Sequence, residues 1–325
     1  MNRITKVLAA SLAGVAMACG ALGAHAQTFP DKPIRFVVPI PAGGSTDVLA
    51  RDVATRLQQR LGKPVVVENR PGGSSSIGTA FVADSPADGY TILLVNASHA
   101  ISPHVYKNLP YHALKDFDAV SLMTELPMGL VVHDSVPART VEEFVALAKS
   151  KPGALSFASA GNGGVGHLTG ELFMQQSGTK MLHVPYRGSA PALNDVIAGQ
   201  VPVLFADIPL VAPHVKSGKL RVLAVTTKER STSLPDVPAF NETAVQGMDL
   251  SIWIGVLAPA GTPADIRERL SQEIAQILKE PDLAESVRAR GFTIVGSTPD
   301  AFDKIISDDY AKYSEVVRKA DIKAE

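Results

Sequence analysis

The sequence feature that most constrains the fold is a recurring unit: a short β-branched run, a loop rich in glycine and serine, and an amphipathic helix. The first copy starts with the strand pattern Ile34–Val38 and continues through the loop 39–47. The next helix keeps apolar residues on one face from Leu49 to Leu61, and Gly62 predicts its end. Strands that alternate with helices imply mostly parallel sheets flanked by helices, so the predicted fold class is α/β.

The same unit recurs along the rest of the chain. Further strands are predicted at residues 65–67, 90–95, 155–159, 182–186, 201–206, 220–226 and 252–258, with a long extended run at 118–133. Helices are predicted after the loops 68–76, 96–99, 160–166 and 187–189, and two more after residue 258, starting near Pro263 and Thr298.

The first 26 residues match a secretory signal peptide. Arg3 and Lys6 give a positive start, residues 7–22 are uncharged and mainly apolar, and the small residues Ala24 and Ala26 predict cleavage before Gln27. A retained anchor is disfavoured because the apolar stretch is shorter than the roughly 20 residues that span a bilayer. We therefore predict a soluble periplasmic protein without stable membrane insertion.

Cysteine and charge narrow the function classes further. The only cysteine, Cys19, lies in the predicted signal peptide, and Ala16-Met17-Ala18 before it lacks the large aliphatic residue usual at a lipoprotein cut. The mature chain has no disulfide and depends on its core, at a size where single cores begin to divide. The chain has 31 basic and 32 acidic residues without a run of like charge, which argues against a nucleic-acid partner.

Four loops share a chemistry suited to anions. Glycines expose backbone N–H groups, hydroxyl side chains add donors, and each following helix start adds about half a positive charge. These loops are residues 42–47, 72–76, 159–166 and 187–189. Any one of them alone is explained as a helix start, but four together favour a shared anionic ligand. Asp47 would repel an anion, so we expect it to cap the helix or fix its loop.

Three catalytic interpretations fit less well. Residues 161–166 match G-x-G-x-x-G, but the strand after them ends without the acidic residue that a dinucleotide site needs. His167 and Glu171 stand four apart on a predicted helix but lack a third metal ligand. No G-x-S-x-G elbow is present. We predict a binding protein with no catalytic residue, cofactor or metal.

Five segments, in this order, carry a family resemblance. They are Pro30-Asp31-Lys32-Pro33-Ile34-Arg35, residues 38–47, Val67-Glu68-Asn69-Arg70-Pro71-Gly72-Gly73, residues 159–168, and Val184-Pro185-Tyr186-Arg187-Gly188-Ser189-Ala190-Pro191-Ala192. With them the whole mature chain resembles the Bug family, the periplasmic receptors of tripartite tricarboxylate transporters. The chain departs from many members at Ile40, where an aromatic is common, and at Gly73-Ser74-Ser75, where a Gly-Ala-Gly-like run is common.

The resemblance implies a two-lobe periplasmic binding protein fold of the type II kind. We expect the chain to cross between lobes near Glu125 and Ser251, so that residues 27–124 and 251–325 form lobe one and residues 125–250 form lobe two. The resemblance also implies a site of loop backbone and small polar side chains that holds a ligand carboxylate. Its expected residues are Ala42, Gly43, Gly44, Ser45, Ser75, Ser76, Ser159, Asn162, Gly163, Val165, His167, Tyr186 and Asp207.

Two function classes remain open at this point. The favoured one is a monomeric transport receptor that delivers a dicarboxylate, an aromatic acid or an amino acid to membrane subunits of a tripartite tricarboxylate-type transporter. The alternative is a receptor that reports ligand occupancy to a signalling partner. A secreted α/β enzyme is a distant third.

Overall fold

The computed structural model describes residues 29–231 and 234–322, apart from the side chains of Ser45 and Ser74, so the predicted signal peptide lies outside the described residues. In chain order the helices and strands are β1 (Ile34–Val38), α1 (Ser45–Leu61), β2 (Val65–Asn69), α2 (Ser76–Ala83), β3 (Thr91–Asn96), α3 (Ser98–Val105), β4 (Phe117–His133), α4 (Val141–Ser150), β5 (Ser156–Ser159), α5 (Val165–Ser177), β6 (Leu182–Pro185), α6 (Ser189–Ile197), β7 (Val203–Asp207), α7 (Ile208–Lys216), β8 (Leu220–Val225), β9 (Ser251–Pro259), α8 (Ala264–Ile277), α9 (Pro281–Ala289), β10 (Thr293–Ile294) and α10 (Pro299–Ala320).

The first lobe is built on a sheet with the strand order β2-β1-β3-β9-β4. Strand β1 pairs in parallel with β2 and β3, whereas β9 runs antiparallel to both β3 and β4. Phe36 and Val37 of β1 point to opposite faces of this sheet, and both are fully buried because helices cover both faces. The carboxyl ends of β1 and β3 therefore meet at one edge of the lobe.

The second lobe repeats this plan with different strands. Strands β6, β5 and β7 pair in parallel, while β4 runs antiparallel to β7 on one side and to β8 on the other. The apolar pattern of residues 203–206 is buried between α-helical layers, as expected of a central strand. The carboxyl ends of β5 and β7 lie together, as those of β1 and β3 do in the first lobe.

Strand β4 belongs to both sheets. Its residues 117–127 pair with β9, and its residues from Met128 onward pair with β7 and β8. Seventeen residues at about 3.3 Å each extend over about 55 Å, which suffices to join two lobes. The two-lobe α/β prediction is confirmed. Apart from the short β10, four strands of each lobe run in the same direction, β2, β1, β3 and β4 in the first and β6, β5, β7 and β8 in the second. One strand in each lobe, β9 or β4, runs against them. The predicted lobe limits at residues 125 and 251 stay a prediction.

Three helices were not expected from the sequence. Helix α4 starts at a cap where the Thr140 hydroxyl accepts the Glu143 N–H, and α7 starts directly after β7. Two helices were predicted after β9, but the structure has α8, α9 and α10 there. Helix α9 is short and begins with Pro281, a start signal that the sequence reading did not use.

Candidate ligand-binding site

Two adjoining cavities lie at the carboxyl ends of the strands, the smaller within the first lobe and the larger between the lobes. They share Asn96 and Ser98, which stand where β3 leads into α3. The smaller cavity lies against lobe one, where Thr46 and Ser75 also line it. The larger, about 250 Å³, extends to lobe two and reaches Asp207. Ligands of open α/β sheets bind outside the carboxyl ends of strands, so this crevice is the candidate site.

The lobe-one loop is shaped by two glycines and one aspartate. Gly43 has a φ of 97°, and Gly44 is the N-cap of α1 with φ −78° and ψ 165°. The Gly43 N–H donates to Oδ2 of Asp47 over 3.0 Å. This N–H is thereby used inside the loop, while the first-turn N–H groups of α1 have no acceptor within the helix. The loop presents a helix N-terminus that suits an anion.

Asp47 holds this loop rather than a ligand. Its side chain is almost fully buried and also accepts from Arg51 Nε at 2.9 Å and from Asn69 Nδ2 at 2.7 Å. The same Asn69 amide donates to the Ile40 carbonyl, which ties β2 to the start of the loop. Burial alone would raise the pKa of Asp47, but the bonds from Arg51, Asn69 and Gly43 outweigh burial and lower it. The prediction that Asp47 fixes the loop is confirmed.

The lobe-two loop uses the same device. Gly163 has a φ of 70°, and Gly164 is the N-cap of α5 with φ −77° and ψ 167°, nearly the values of Gly44. The Gly163 N–H donates to Nδ1 of His167 over 3.0 Å. In both lobes a glycine N–H therefore donates a hydrogen bond to the side chain four residues later. The helix that follows starts at a glycine N-cap. The start of α5 is therefore a second helix N-terminus that suits an anion.

A histidine pair supports the lobe-two loop from below. The rings of His167 and His183 stack with centroids 3.7 Å apart and planes 8° apart. Nε2 of His183 lies 2.7 Å from Oγ of Ser159, whose own proton is donated to the Gly161 carbonyl. Ser159 therefore accepts, and Nε2 of His183 carries the hydrogen. His183 fixes Ser159, and Ser159 fixes the loop at Gly161.

His183 gives the loop support a pH dependence. Burial, with the neighbouring His167 second, lowers the pKa of His183 to about 4. An unfolded histidine takes up its proton near pH 6.5, so the wild-type fold loses stability as the pH falls from about 6.5 towards 4. In His183→Gln this loss is absent. The free energy of unfolding of the wild type exceeds that of His183→Gln, and we expect this difference to shrink by on the order of 1 kcal/mol between pH 7 and pH 5. Urea unfolding at both pH values measures it, and an unchanged difference contradicts it.

The structure brings only part of the predicted site to the cavities. Ser75, Val165 and Asp207 line them. The loops that lead to α1 and α5 contain Ala42, Gly43, Gly44, Asn162 and Gly163, and Ser45 is the first residue of α1. Among the other predicted residues, Ser159 and His167 are buried beneath the lobe-two loop, and Ser76 begins α2. Direct ligand contact by these residues stays a prediction.

Tyr186 is held by a neighbour on α6. Its hydroxyl donates to Oδ2 of Asp195 over 2.6 Å. This hydrogen bond is the main cause that raises the pKa of Tyr186 to about 12, and burial adds to it. The proton of Tyr186 is therefore committed to Asp195, and only the lone pairs of its oxygen remain for a ligand.

Asn96 and Ser98 line the candidate site, although neither was predicted from the sequence. Both line both cavities, and Oδ1 of Asn96 accepts the Ser98 N–H over 3.0 Å at the start of α3. A signal was available, because Asn96 is a polar residue at the carboxyl end of a predicted apolar strand.

Two further searches bear on the type of site. Within residues 29–231 and 234–322, no three histidine, cysteine, aspartate or glutamate side chains are grouped so that they could hold a metal ion. Across the same ranges, no helix combines the length and apolar character needed to cross a bilayer.

Comparisons with known proteins agree with this architecture. A family model described as "Tripartite tricarboxylate transporter family receptor" matches residues 49–322. BugT of Bordetella pertussis is 37% identical over 322 residues, which cover 98% of this chain and 99% of BugT. The structure of R. palustris Rpa4515 with adipate is 33% identical with a TM-score of 0.74, and the match covers 91% of this chain and 100% of that one.

A second solved structure matches over a similar length. MatC of Rhodopseudomonas palustris with bound malate is 28% identical with a TM-score of 0.71, and the match covers 89% of this chain and 100% of MatC. The family model and BugT each span far more than half of this chain. The chain therefore belongs to the tripartite tricarboxylate transporter receptor family, which consists of periplasmic solute-binding receptors and not of enzymes.

Proposed function

We propose that this protein is a periplasmic receptor that captures a small carboxylate between its lobes and delivers it to the membrane subunits of a tripartite tricarboxylate-type transporter. The observation that carries the proposal is the matched pair of helix N-termini, α1 at Gly44 and α5 at Gly164, one on each lobe. The related structures named with adipate and malate support a carboxylate as the ligand. Export through residues 1–26 is part of the proposal.

The charge of the crevice supports the same conclusion. Neither cavity is lined by a lysine or an arginine. A carboxylate can be held there by backbone N–H groups, since hydrogen bonds to a charged acceptor contribute about 1.5–3 kcal/mol each. Donors from both lobes would then bridge one ligand, so that binding favours the closed arrangement of the lobes.

A screen of small acids tests the proposal. A ligand at one hundred times its dissociation constant adds about 2.7 kcal/mol of stability, which for a chain of this size raises the melting temperature by about 5–10 °C. We expect a few acids to give this shift, their methyl esters and amides to give none, and the acids to be recovered unchanged after incubation. Equal stabilisation by acid and ester contradicts the carboxylate site, and chemical conversion of an acid contradicts the receptor function.

Gly44→Val is the matching test on the protein. No atom lies within 4 Å of a side-chain carbon built at Gly44, and its φ of −78° suits valine, so the variant should fold. The isopropyl group should crowd a carboxylate at the start of α1 and weaken the best acid at least tenfold, the equivalent of one lost charge-assisted hydrogen bond.

The control adds the same bulk far from the crevice. Ala260→Val changes an exposed residue just after β9, whose end pairs with the first half of β3 rather than with its carboxyl end. Calorimetry should give wild-type affinity for this control. Wild-type affinity in a folded Gly44→Val protein places the ligand elsewhere.

A further inference from the structure

Asp207 is a partly buried carboxyl at the end of β7 that does not cap the helix after it. It ends β7 and is the N-cap of α7, but its side chain makes no capping hydrogen bond. An N-cap side chain ordinarily accepts from the second or third residue of the helix. The second residue of α7 is Pro209, which has no N–H to give. The carboxyl of Asp207 lines the larger cavity instead.

This carboxyl is also the only charge of its cavity. The remaining lining is apolar, as at Met128 and Ile252, or neutral and polar, as at Asn96 and Ser189. Burial raises the pKa of Asp207, and its own backbone N–H is the opposing influence. Within the described residues no side chain donates a hydrogen bond to it, although buried carboxyl groups are normally paired. A molecule that enters the cavity can supply this donor.

We propose that Asp207 selects the ligand: it accepts a hydrogen bond from a hydroxyl or ammonium group of the bound molecule, so that the preferred substrate is a hydroxy acid or an amino acid rather than the plain acid of the same skeleton. This inference rests on the proposed carboxylate-binding function. It assigns the two ends of the ligand to different groups, the carboxylate to the helix N-termini and the donor to Asp207.

Electrostatics favours this arrangement over a plain dicarboxylate. A second ionised carboxylate next to Asp207 would meet a like charge in a poorly solvated cavity without a compensating cation. A hydroxyl group pays no such penalty, and an ammonium group gains an attraction. Malate carries a hydroxyl and adipate does not, so the two relatives named with these ligands leave the preference of this chain open, and Asp207 decides it.

Calorimetric titration with matched acids tests the inference. The probes are succinate with malate and aspartate, and propionate with lactate and alanine, each titrated into the wild type, Asp207→Asn and Asp207→Leu. In the wild type we expect the donor-bearing members to bind about tenfold or more tightly than the plain acid. In Asp207→Leu, which has no acceptor, the ratio should fall to within about threefold. In Asp207→Asn, which keeps an oxygen acceptor without the charge, the preference for hydroxyl should survive better than that for ammonium.

Each outcome has one meaning. Binding without any preference for the donor-bearing acid overturns the inference and leaves the carboxylate receptor standing. A preference that persists unchanged in Asp207→Leu also overturns it, because the donor then meets another group. If none of these acids nor any other acid of the screen binds, the proposed function fails as well. Should Asp207→Leu not fold, the loss of the ammonium preference in Asp207→Asn carries the test.

Discussion

Replacing Trp253 by alanine is expected to lower the free energy of unfolding by about 3–5 kcal/mol, the cost of a large cavity in a packed core. Trp253 lies on β9, opposite Glu125 of β4, and is fully buried. Its ring meets that of Phe302 edge-on at 5.3 Å, and its Nε1 donates to Oδ2 of Asp309 over 2.7 Å. Alanine removes the ring and also leaves a buried carboxyl without this donor.

Urea unfolding followed by circular dichroism measures the effect, since Trp253 is the only tryptophan and its fluorescence is lost in the variant. Trp253→Phe is the control, because it keeps an aromatic ring against Phe302 while it removes the N–H and a smaller part of the side-chain volume. We expect it to cost about 1–3 kcal/mol, as for one unsatisfied buried group. A loss in Trp253→Ala no greater than in Trp253→Phe contradicts the cavity argument.

The expected size of this loss follows from where β9 lies. Folded domains are stable by only about 5–15 kcal/mol, so the alanine variant should stand near the threshold of unfolding. Strand β9 separates β3 from β4, the strand that continues into the second sheet. A defect at Trp253 therefore weakens the connection between the lobes as well as the core of the first one.

Most strands could be predicted because their signals are local. A run such as Ile34–Val38 between turn residues needs no partner to be recognised, and the long extended run at 118–133 turned out to be the single strand β4. The pairing between strands could not be predicted from such local signals. The antiparallel contact of Thr293 with Glu125 brings together residues far apart in sequence, and no local pattern indicates it.

The site shows the same division between local and distant information. The hydrogen bond from the Gly43 N–H to Asp47 spans four residues. The charge of Asp47 was enough to predict that it fixes the loop and does not bind an anion. The support of Ser159 by His183 spans 24 residues and depends on the pairing of β5 with β6. His183 was not predicted for this reason, and its role became visible only with the register of the second sheet.

The last prediction concerns the side chains that close the two loops. In Asp47→Ala the Gly43 N–H loses its acceptor, and Arg51 and Asn69 lose a shared carboxylate. We expect unfolding to become easier by about 2–4 kcal/mol, because at least one charge-assisted hydrogen bond and its buried partners are lost. Since hydrogen bonds hold the pKa of Asp47 below its ordinary value, this stabilisation is fully present above about pH 4 and is lost as the pH falls through the folded-state pKa.

In Asp47→Ala the affinity for the ligand should also fall at least tenfold, because the N–H groups at the start of α1 are no longer held in place. His167→Ala is the matched variant, since it removes the acceptor of the Gly163 N–H on the other lobe. Asp47→Asn is the control, because it keeps an acceptor for Gly43 and loses only the charge. Wild-type affinity in either alanine variant would show that the helix starts bind the carboxylate without help from the residue four positions after each glycine.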